Sequence, residues 1–186
     1  MQKSDENKGI VFGFQTDTVW GLGCLPDDKL AVDKIYEIKN RDRTKPLILM
    51  SHDVEALKKY VTDIPKYAYK LLDEHFPGGL TLVLRRSGIC PKSICAGFET
   101  VGIRVPNSKN FMDLTQNIEG SVLATTSLNL SNQPPCKTFD EANSKFGNIV
   151  KIVKPKYEEK LHDIPSTIVL CAEDKPLILR EGSVKI

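Results

Sequence analysis

Short apolar runs alternate along the chain with amphipathic stretches, and this pattern predicts both strands and helices. Strands are predicted at 9–14, 46–50, 80–86, 100–106, 121–127, 147–153, 166–170 and 176–180. Helices are predicted at 29–40, 53–61, 65–75, around 108–117 and at 139–145. In the first helix, helical spacing places Leu30, Ala31, Ile35 and Ile38 on the buried face. The irregular alternation, with short hairpin-like links, predicts an α/β fold (α+β in a stricter scheme) with a mixed sheet.

The length and composition predict one globular domain over residues 1–186, with no internal boundary, repeat or low-complexity segment. The net charge is only +2, so any attraction to nucleic acid must come from local clusters. The polar amino terminus is unlike a signal peptide, and the runs "PLILM" and "LTLVL" are too short to span a membrane. We therefore expect no membrane association.

Five cysteines form no CxxC pair, and the closest two, in "CPKSIC" (90–95), have no histidine nearby. A metal site is therefore not expected, and buried or surface thiols in a reducing compartment are the preferred interpretation. This usage predicts a cytoplasmic protein.

The segment "QTDTVWGLG" (15–23) follows the first predicted strand and is rich in hydroxyl and carboxylate groups. It is typical of a turn with hydrogen bonds from side chains to the backbone, although the same groups could line a site. Its GxG is not a dinucleotide fingerprint, because the third glycine and the helix opening are missing.

A cluster of basic residues follows the first predicted helix. Lys39 would complement the helix dipole at the carboxyl end. Arg41, Arg43 and Lys45 come next, and alternate residues of an extended segment point the same way. They could together grip a phosphate chain, since arginine binds phosphate oxygens bidentately and lysine adds a point charge. A solvated surface loop and a contact to an RNA backbone are the alternatives.

Three further polar groups lie at or within predicted strands. Ser127 and Asn129 are two residues apart at a strand end, where they could orient a nucleotide or form a polar turn. Arg104 lies inside the apolar strand "VGIRVP", so it must meet a carboxylate of either the protein or a ligand, and Arg180 raises the same question. No catalytic triad or P-loop is suggested, so these residues alone indicate an anion-binding domain.

Seven motifs occur in a characteristic order: "TDTVWGLGC", "IKNRDRTKPL", "FPGGLTLVL", "VGIRVP", "TTSLNLSNQP", "IPSTIV" and "LREGSV". Together they resemble the YrdC-like family of threonylcarbamoyl-AMP synthases, the TsaC type, from about residue 9 to the carboxyl end. The resemblance implies an open twisted sheet with a basic concave face. It implies that L-threonine, bicarbonate and ATP are condensed to threonylcarbamoyl-AMP and pyrophosphate, with Mg²⁺ on the triphosphate. Partner proteins would then transfer the threonylcarbamoyl group to an adenosine beside the tRNA anticodon.

The resemblance also implies roles for individual residues. The ATP site would contain Lys39, Arg41, Lys45, Ser127, Asn129 and Arg180, of which Lys39, Arg41, Ser127 and Asn129 would be catalytic. The threonine site would contain Thr18, Arg104, Thr125 and Ser166. Met50 stands where the family often has histidine, and the extra carboxyl-terminal domain of the longer family form is not expected here. The alternatives are an RNA-binding module without ATP turnover and a carbamoyltransferase-type domain of hydrogenase maturation.

Overall fold

The computed structural model describes residues 6–186, which contain nine strands and five α-helices. The strands are β1 (Phe12–Phe14), β2 (Gly21–Cys24), β3 (Ile48–Ser51), β4 (Leu80–Arg85), β5 (Thr100–Arg104), β6 (Val122–Ser127), β7 (Lys151–Ile152), β8 (Thr167–Leu170) and β9 (Leu177–Arg180). The helices are α1 (Lys29–Lys39), α2 (Val54–Lys58), α3 (Lys66–His75), α4 (Lys109–Gln116) and α5 (Phe139–Phe146). In residues 6–186, no helix combines the length and the apolarity needed to cross a membrane.

The nine strands form one mixed sheet in the order β7-β1-β2-β6-β3-β5-β4-β8-β9. The pairs β1–β7, β3–β5 and β4–β8 are parallel, and the other neighbours are antiparallel. The predicted mixed α/β sheet is therefore confirmed. The parallel β3–β5 pair lies at the centre of the sheet and the parallel β4–β8 pair lies towards one edge, and both bring together distant parts of the chain.

The pairing register divides the strand residues between two faces of the sheet. On one face, Leu22, Leu49, Leu82 and Ile103 are fully buried in the main core, which also includes residues of α1, α3 and α5. On the other face, a smaller cluster unites Phe12, Phe14, Met50 and Leu123 with Phe111 of α4. Burying one leucine side chain in this way stabilises the fold by about 1.5–3 kcal/mol. The second face therefore has a separate and smaller apolar core.

Helix α1 has clear sequence signals at both ends. Asp28 caps its amino terminus by accepting a hydrogen bond from the Ala31 amide at 3.0 Å, and Asn40 ends it in the left-handed region with φ of 47°. The prediction that Leu30 is buried is wrong, because its side chain is 79% exposed. At 3.6 residues per turn, Leu30 lies about 140° around the helix from the buried Ile35. The buried face instead continues to Lys39.

Strand β2 was not predicted, since its sequence "GLGC" has neither β-branched residues nor regular alternation. The ring of Phe14 lies against Gly21, and a Cβ on Gly23 would come 2.9 Å from Thr125 Cγ2. Glycine is needed at both positions because neighbouring side chains fill the space over them. Most predicted strands are longer than the observed ones, and the difference is largest for β1, which starts at Phe12, and for β7, which contains only Lys151 and Ile152. The helix predicted at 53–61 also ends early, at Lys58.

Candidate functional site

The ammonium group of Lys39 is buried against the segment that follows β6. Its Nζ donates to the carbonyl oxygens of Ser127 at 2.5 Å and Asn129 at 2.7 Å, and to Asn129 Oδ1 at 2.8 Å. The Ser127 hydroxyl donates to the same Oδ1 at 2.6 Å. Because an ammonium group has three donors, these contacts satisfy Lys39 completely. The structure thus brings together three predicted site residues and makes Lys39 the centre of their network.

This environment changes the acidity of Lys39. Burial is the main cause that lowers its pKa to about 7, and the positive charge of Arg41 acts in the same direction. The three acceptor oxygens favour the protonated form and so oppose this shift. Lys39 can therefore change its protonation state near neutral pH.

The basic residues after α1 do not form the extended segment that the sequence predicted. The chain turns here, with the Lys45 amide bonded to the Asp42 carbonyl at 3.1 Å. Arg41 donates to the carbonyl oxygens of Lys45 at 3.3 Å and Pro46 at 3.0 Å. The prediction that Arg41, Arg43 and Lys45 share one face is therefore wrong. Asn40 and Asp42, which favour turns, override the alternating pattern of charges.

Arg43 is directed towards α1 and away from the other basic side chains. It forms an ion pair with Asp33 at 2.5 Å, and its guanidinium carbon lies 5.3 Å from the centre of the Tyr36 ring. Lys45 is exposed in the same turn. Of the three alternating basic residues, Arg43 is thus engaged in an ion pair on the surface of α1.

Arg104 is buried at the end of β5 and has three partners. Its Nε donates to the Gly78 carbonyl at 2.9 Å, its Nη1 donates to Thr18 Oγ1 at 2.9 Å, and its Nη2 forms an ion pair with Asp17. Burial lowers the pKa of Arg104, and the Asp17 carboxylate opposes that shift. Sequence reasoning left open whether the partner carboxylate belonged to the protein. The structure supplies it from "QTDTV", whose aspartate was not identified as this partner.

Ser166 and Arg180 lie beside this pair. The Ser166 hydroxyl is 2.8 Å from Thr81 Oγ1, and the Ser166 carbonyl accepts from Arg180 Nη2 at 2.7 Å. The charge of Arg180 also lowers the pKa of Arg104, so the two guanidinium groups interact. Arg180, predicted with the ATP group, is thus directly connected to the predicted threonine group.

Thr125 lies between the two groups on the same face of the sheet. It precedes Ser127 by two residues on β6, and its hydroxyl donates to the Ile48 carbonyl at 3.2 Å. Ile48 pairs with Thr125 on one side and with Gly102 on the other. Standard strand spacing and rise then place the Cα atoms of Thr125 and Arg104 about 12 Å apart. One ligand of nucleotide size can span this distance.

Met50, at the position where the family resemblance leads us to expect histidine, is the direct neighbour of Arg104 across the β3–β5 pair. It is 4% exposed and packs in the smaller apolar cluster. The departure from the family pattern therefore lies inside the candidate site, next to the buried guanidinium.

The connection between β7 and β8 covers the Arg104 pair. The amides of His162 and Asp163 donate to the carbonyls of Asp17 at 3.0 Å and Thr18 at 3.1 Å. Earlier in the connection, the Glu159 carboxylate accepts from Ser108 Oγ at 2.7 Å and from neighbouring groups at the amino terminus of α4. No periodic pattern marks this connection, which explains why sequence reasoning missed it.

A cavity of about 580 Å³ lies elsewhere, between α2, α3 and α4. It is lined by groups such as His52, Tyr69, Phe76 and Met112 and by none of the predicted site residues. The candidate site is therefore defined by its buried polar groups. Among residues 6–186, no cluster of three or more histidine, cysteine, aspartate or glutamate side chains could hold a metal ion.

Comparison with known proteins gives matches over nearly the whole chain. The Sua5/YciO/YrdC family model, described as telomere recombination, matches residues 6–182. A Bacillus subtilis relative named threonylcarbamoyl-AMP synthase is 36% identical over 94% of this chain and 50% of its own length. An Escherichia coli relative with the same name is 33% identical over 79% of this chain and 78% of its own length.

A solved structure of a relative has a similar fold. The crystal structure of Pyrococcus abyssi Sua5 in complex with L-threonine matches with a TM-score of 0.88 and 30% identity. The match covers 97% of this chain and 52% of the Pyrococcus abyssi chain. The chain thus spans about half the length of the Bacillus subtilis relative and of the Pyrococcus abyssi protein.

Proposed function

This chain belongs to the Sua5/YciO/YrdC family, and from that membership we propose that it is a threonylcarbamoyl-AMP synthase. It condenses L-threonine, bicarbonate and ATP to threonylcarbamoyl-AMP and pyrophosphate. The observation that carries the proposal is the placement of two anion-binding groups on one sheet, one around Lys39 and one around Arg104. Relatives that bear this enzyme name span both groups.

The Arg104 group binds threonine. Its described contacts use three of the five donors of the guanidinium, which leaves one on each terminal nitrogen for the substrate carboxylate. The hydroxyl groups of Thr18, Thr125 and Ser166 complete a polar pocket around the zwitterion. Fixing the carboxylate also fixes the position of the α-amine, an orientation effect that lowers the barrier by several kcal/mol.

The Lys39 group binds the nucleotide. Lys39 holds the loop of Ser127 and Asn129 in shape, and its charge acts on the phosphates through the loop. Arg41, at the mouth of the same region, contacts phosphate oxygens together with Lys45. Arg180, beside the threonine carboxylate site, neutralises charge where the two substrates meet. These cations stabilise the charge that grows on the leaving pyrophosphate.

The reaction has two bond-forming steps. The threonine amine attacks bicarbonate to give a carbamate with loss of water, and a carbamate oxygen then attacks the α-phosphorus as pyrophosphate leaves. Mg²⁺ accompanies ATP and, when bound, neutralises phosphate charge with mainly phosphate and water oxygens as ligands. The loop oxygens of Ser127 and Asn129 already accept from Lys39, so the protein would supply few ligands to this cation. Lys39, Arg41 and Arg104 orient the reacting groups.

The product is a reactive mixed anhydride, so its acyl group must pass to an acceptor. We infer that this acceptor is the adenosine next to the tRNA anticodon, reached with the help of transfer proteins in the cytoplasm. The five cysteines are all buried free thiols, which supports a reducing compartment.

The test combines product detection with two matched arginine variants. The parent chain, ATP, bicarbonate and threonine should give threonylcarbamoyl-AMP by mass and an equal amount of pyrophosphate. R41A should lower turnover by at least about 100-fold, in the range seen when a charge-stabilising donor is lost. R43A should stay within about threefold, because Arg43 is used in a surface pair with Asp33.

Two outcomes would overturn the proposal. Salt-sensitive RNA binding without ATP turnover would indicate the RNA-binding alternative. Pyrophosphate release that requires carbamoyl phosphate and ignores threonine would indicate the carbamoyltransferase alternative. Equal turnover of R41A and R43A would remove Arg41 from the proposed site.

A further inference from the structure

Two thiols are in contact in the loop that joins β4 to β5. The sulfur atoms of Cys90 and Cys95 are 3.7 Å apart, and both residues are almost fully buried, at 2% and 1% exposure. A short 3₁₀ turn at Lys92–Ile94 brings the two cysteines together although four residues separate them. This is the "CPKSIC" motif, which the proposed synthase reaction does not use.

The two thiols are not equivalent. The hydrogen bond from Cys90 lowers the pKa of Cys95, while the same contact and burial raise the pKa of Cys90. Arg86 lowers the pKa of both thiols through its positive charge. Its buried Nε has no hydrogen-bond partner among residues 6–186, and its Nη2 donates to the Glu99 carboxylate at 2.6 Å. The contact thus makes Cys95 the more acidic thiol of the pair, while burial, the Glu99 carboxylate and the contact from Cys95 Sγ to the Pro91 carbonyl at 3.5 Å oppose its ionisation.

From this arrangement we propose that Cys90 and Cys95 are a covalent modification site, which a hydroperoxide converts to a reversible disulfide. The Cys95 thiolate attacks the peroxide, the O–O bond breaks, and Cys95 becomes a sulfenic acid while the alcohol or water leaves with the proton. Cys90 then loses its proton and attacks the Cys95 sulfur, and the S–O bond breaks to release water. Two thiols lose two electrons in total, and the peroxide gains them.

The alternative is that the two thiols only fill space, as buried cysteines often do. Three other buried thiols offer an internal comparison for this: Cys24, Cys136 and Cys171. Burial raises the pKa of each of them, to about 12 for Cys24 and about 11 for Cys171. They should therefore resist a mild oxidant if the Cys90–Cys95 contact is what creates reactivity.

The loop also supports the segment that carries Arg41. The Ile94 carbonyl accepts from the Leu47 amide at 2.9 Å. The carbonyls of the two residues before Leu47, Lys45 and Pro46, are the acceptors for Arg41. A disulfide holds its sulfurs about 2.05 Å apart, so its formation draws the two side chains closer than 3.7 Å, and we expect the loop between them to adjust. We expect this movement to be measurable at the Leu47 amide.

The experiment treats the full chain with hydrogen peroxide and labels the remaining thiols for peptide mass spectrometry. The expected product is a Cys90–Cys95 disulfide that dithiothreitol reverses, while Cys24, Cys136 and Cys171 remain thiols. A protein in which Cys90 and Cys95 stay reduced, or in which another cysteine is oxidised first, would overturn the proposal. This arm uses the unmodified chain, so it does not depend on how any variant folds.

Two variants and a control assign the roles. C90S should trap the sulfenic acid, seen as a dimedone adduct on Cys95, whereas C95S should give at least tenfold less adduct on Cys90. Equal adducts in the two variants would contradict the assigned order. C171S should form the Cys90–Cys95 disulfide as the parent does, and its failure to do so would show that the reaction is not local to this pair.

Hydrogen exchange measures the link to the Arg41 segment. Oxidation should change exchange at the Leu47 amide by at least tenfold, and reduction should restore it. Unchanged exchange in fully oxidised protein would overturn the link. None of these measurements requires synthase activity, so they are independent of the proposed function.

Discussion

Removing the Asp17 carboxylate should reveal the energetic role of the Arg104 ion pair. Both side chains are nearly inaccessible, with 5% exposure for Arg104 and 8% for Asp17. Asp17→Ala leaves a buried guanidinium without its counter-charge, which costs about 3–5 kcal/mol in comparable buried pairs. The contacts from Arg104 to Gly78 and Thr18 remain, so the variant should fold with reduced stability.

Two further variants separate charge from shape. Asp17→Asn keeps an acceptor oxygen towards Arg104 but removes the negative charge, so we expect a smaller loss of about 1–3 kcal/mol. Combining Asp17→Ala with Arg104→Met removes both charges. The double variant should be more stable than Asp17→Ala alone, because no uncompensated charge remains in the apolar site.

Equilibrium urea unfolding gives the required free energies if the parent and the variants share similar slopes. The expected order of stability is parent, Asp17→Asn, the double variant, then Asp17→Ala, with the middle two close together. A loss below about 1 kcal/mol for Asp17→Ala would refute the reasoning, since that value is typical of an exposed ion pair. Additive losses in the double variant would also refute it.

Three other predictions test separate parts of the structure. The pKa of Lys39 is 10.5 in the unfolded chain and about 7 in the folded chain, so the unfolded chain binds more protons between these values. The free energy of unfolding of the parent should therefore rise by about 2–3 kcal/mol from pH 7 to 9. Lys39→Met should remove that rise, as measured by urea unfolding at the two pH values. An equal rise in the variant would contradict the assignment. Gly102→Val should lower the stability measured by thermal unfolding by at least about 1–3 kcal/mol, because its Cβ would lie 2.7 Å from Ile48 Cγ2. The control Gly88→Val, whose Cβ would have no atom within 4 Å, should change stability by less than about 0.5 kcal/mol. Glu159→Ala should speed limited proteolysis of the connection between β7 and β8 at least fivefold, and an unchanged cleavage rate would show that the carboxylate does not hold it.

The sequence was sufficient for elements whose own residues carry the signal. Helix α1 was predicted within one residue from the helical spacing of its apolar residues, and in the structure Asp28 and Asn40 mark its ends through local hydrogen bonds and backbone geometry. Strand β2 escaped prediction because its glycines are explained only by the Phe14 ring and Thr125 on neighbouring strands. Local chemistry is visible in one sequence, whereas the space above a residue depends on strands that pair across the sheet.

The same distinction holds for the candidate site. The need for a partner at Arg104 follows from one charged residue in an apolar strand, but its identity, Asp17, depends on how a distant loop folds over the sheet. Lys39 was expected at the end of a helix, but the three oxygens that surround it come from the segment after β6. The turn at 41–46 shows the converse, because Asn40 and Asp42 outweighed a regular charge pattern.

The covered position of Arg104 has a consequence for how fast a ligand can arrive. The Arg104 guanidinium contacts Asp17 and Thr18, and the backbone of His162 and Asp163 lies across these two residues. A substrate carboxylate that binds the two remaining donors of Arg104 must wait until this covering chain moves aside. Its observed association rate should therefore level off at high ligand concentration, at the opening rate of the cover, instead of rising in proportion to collisions.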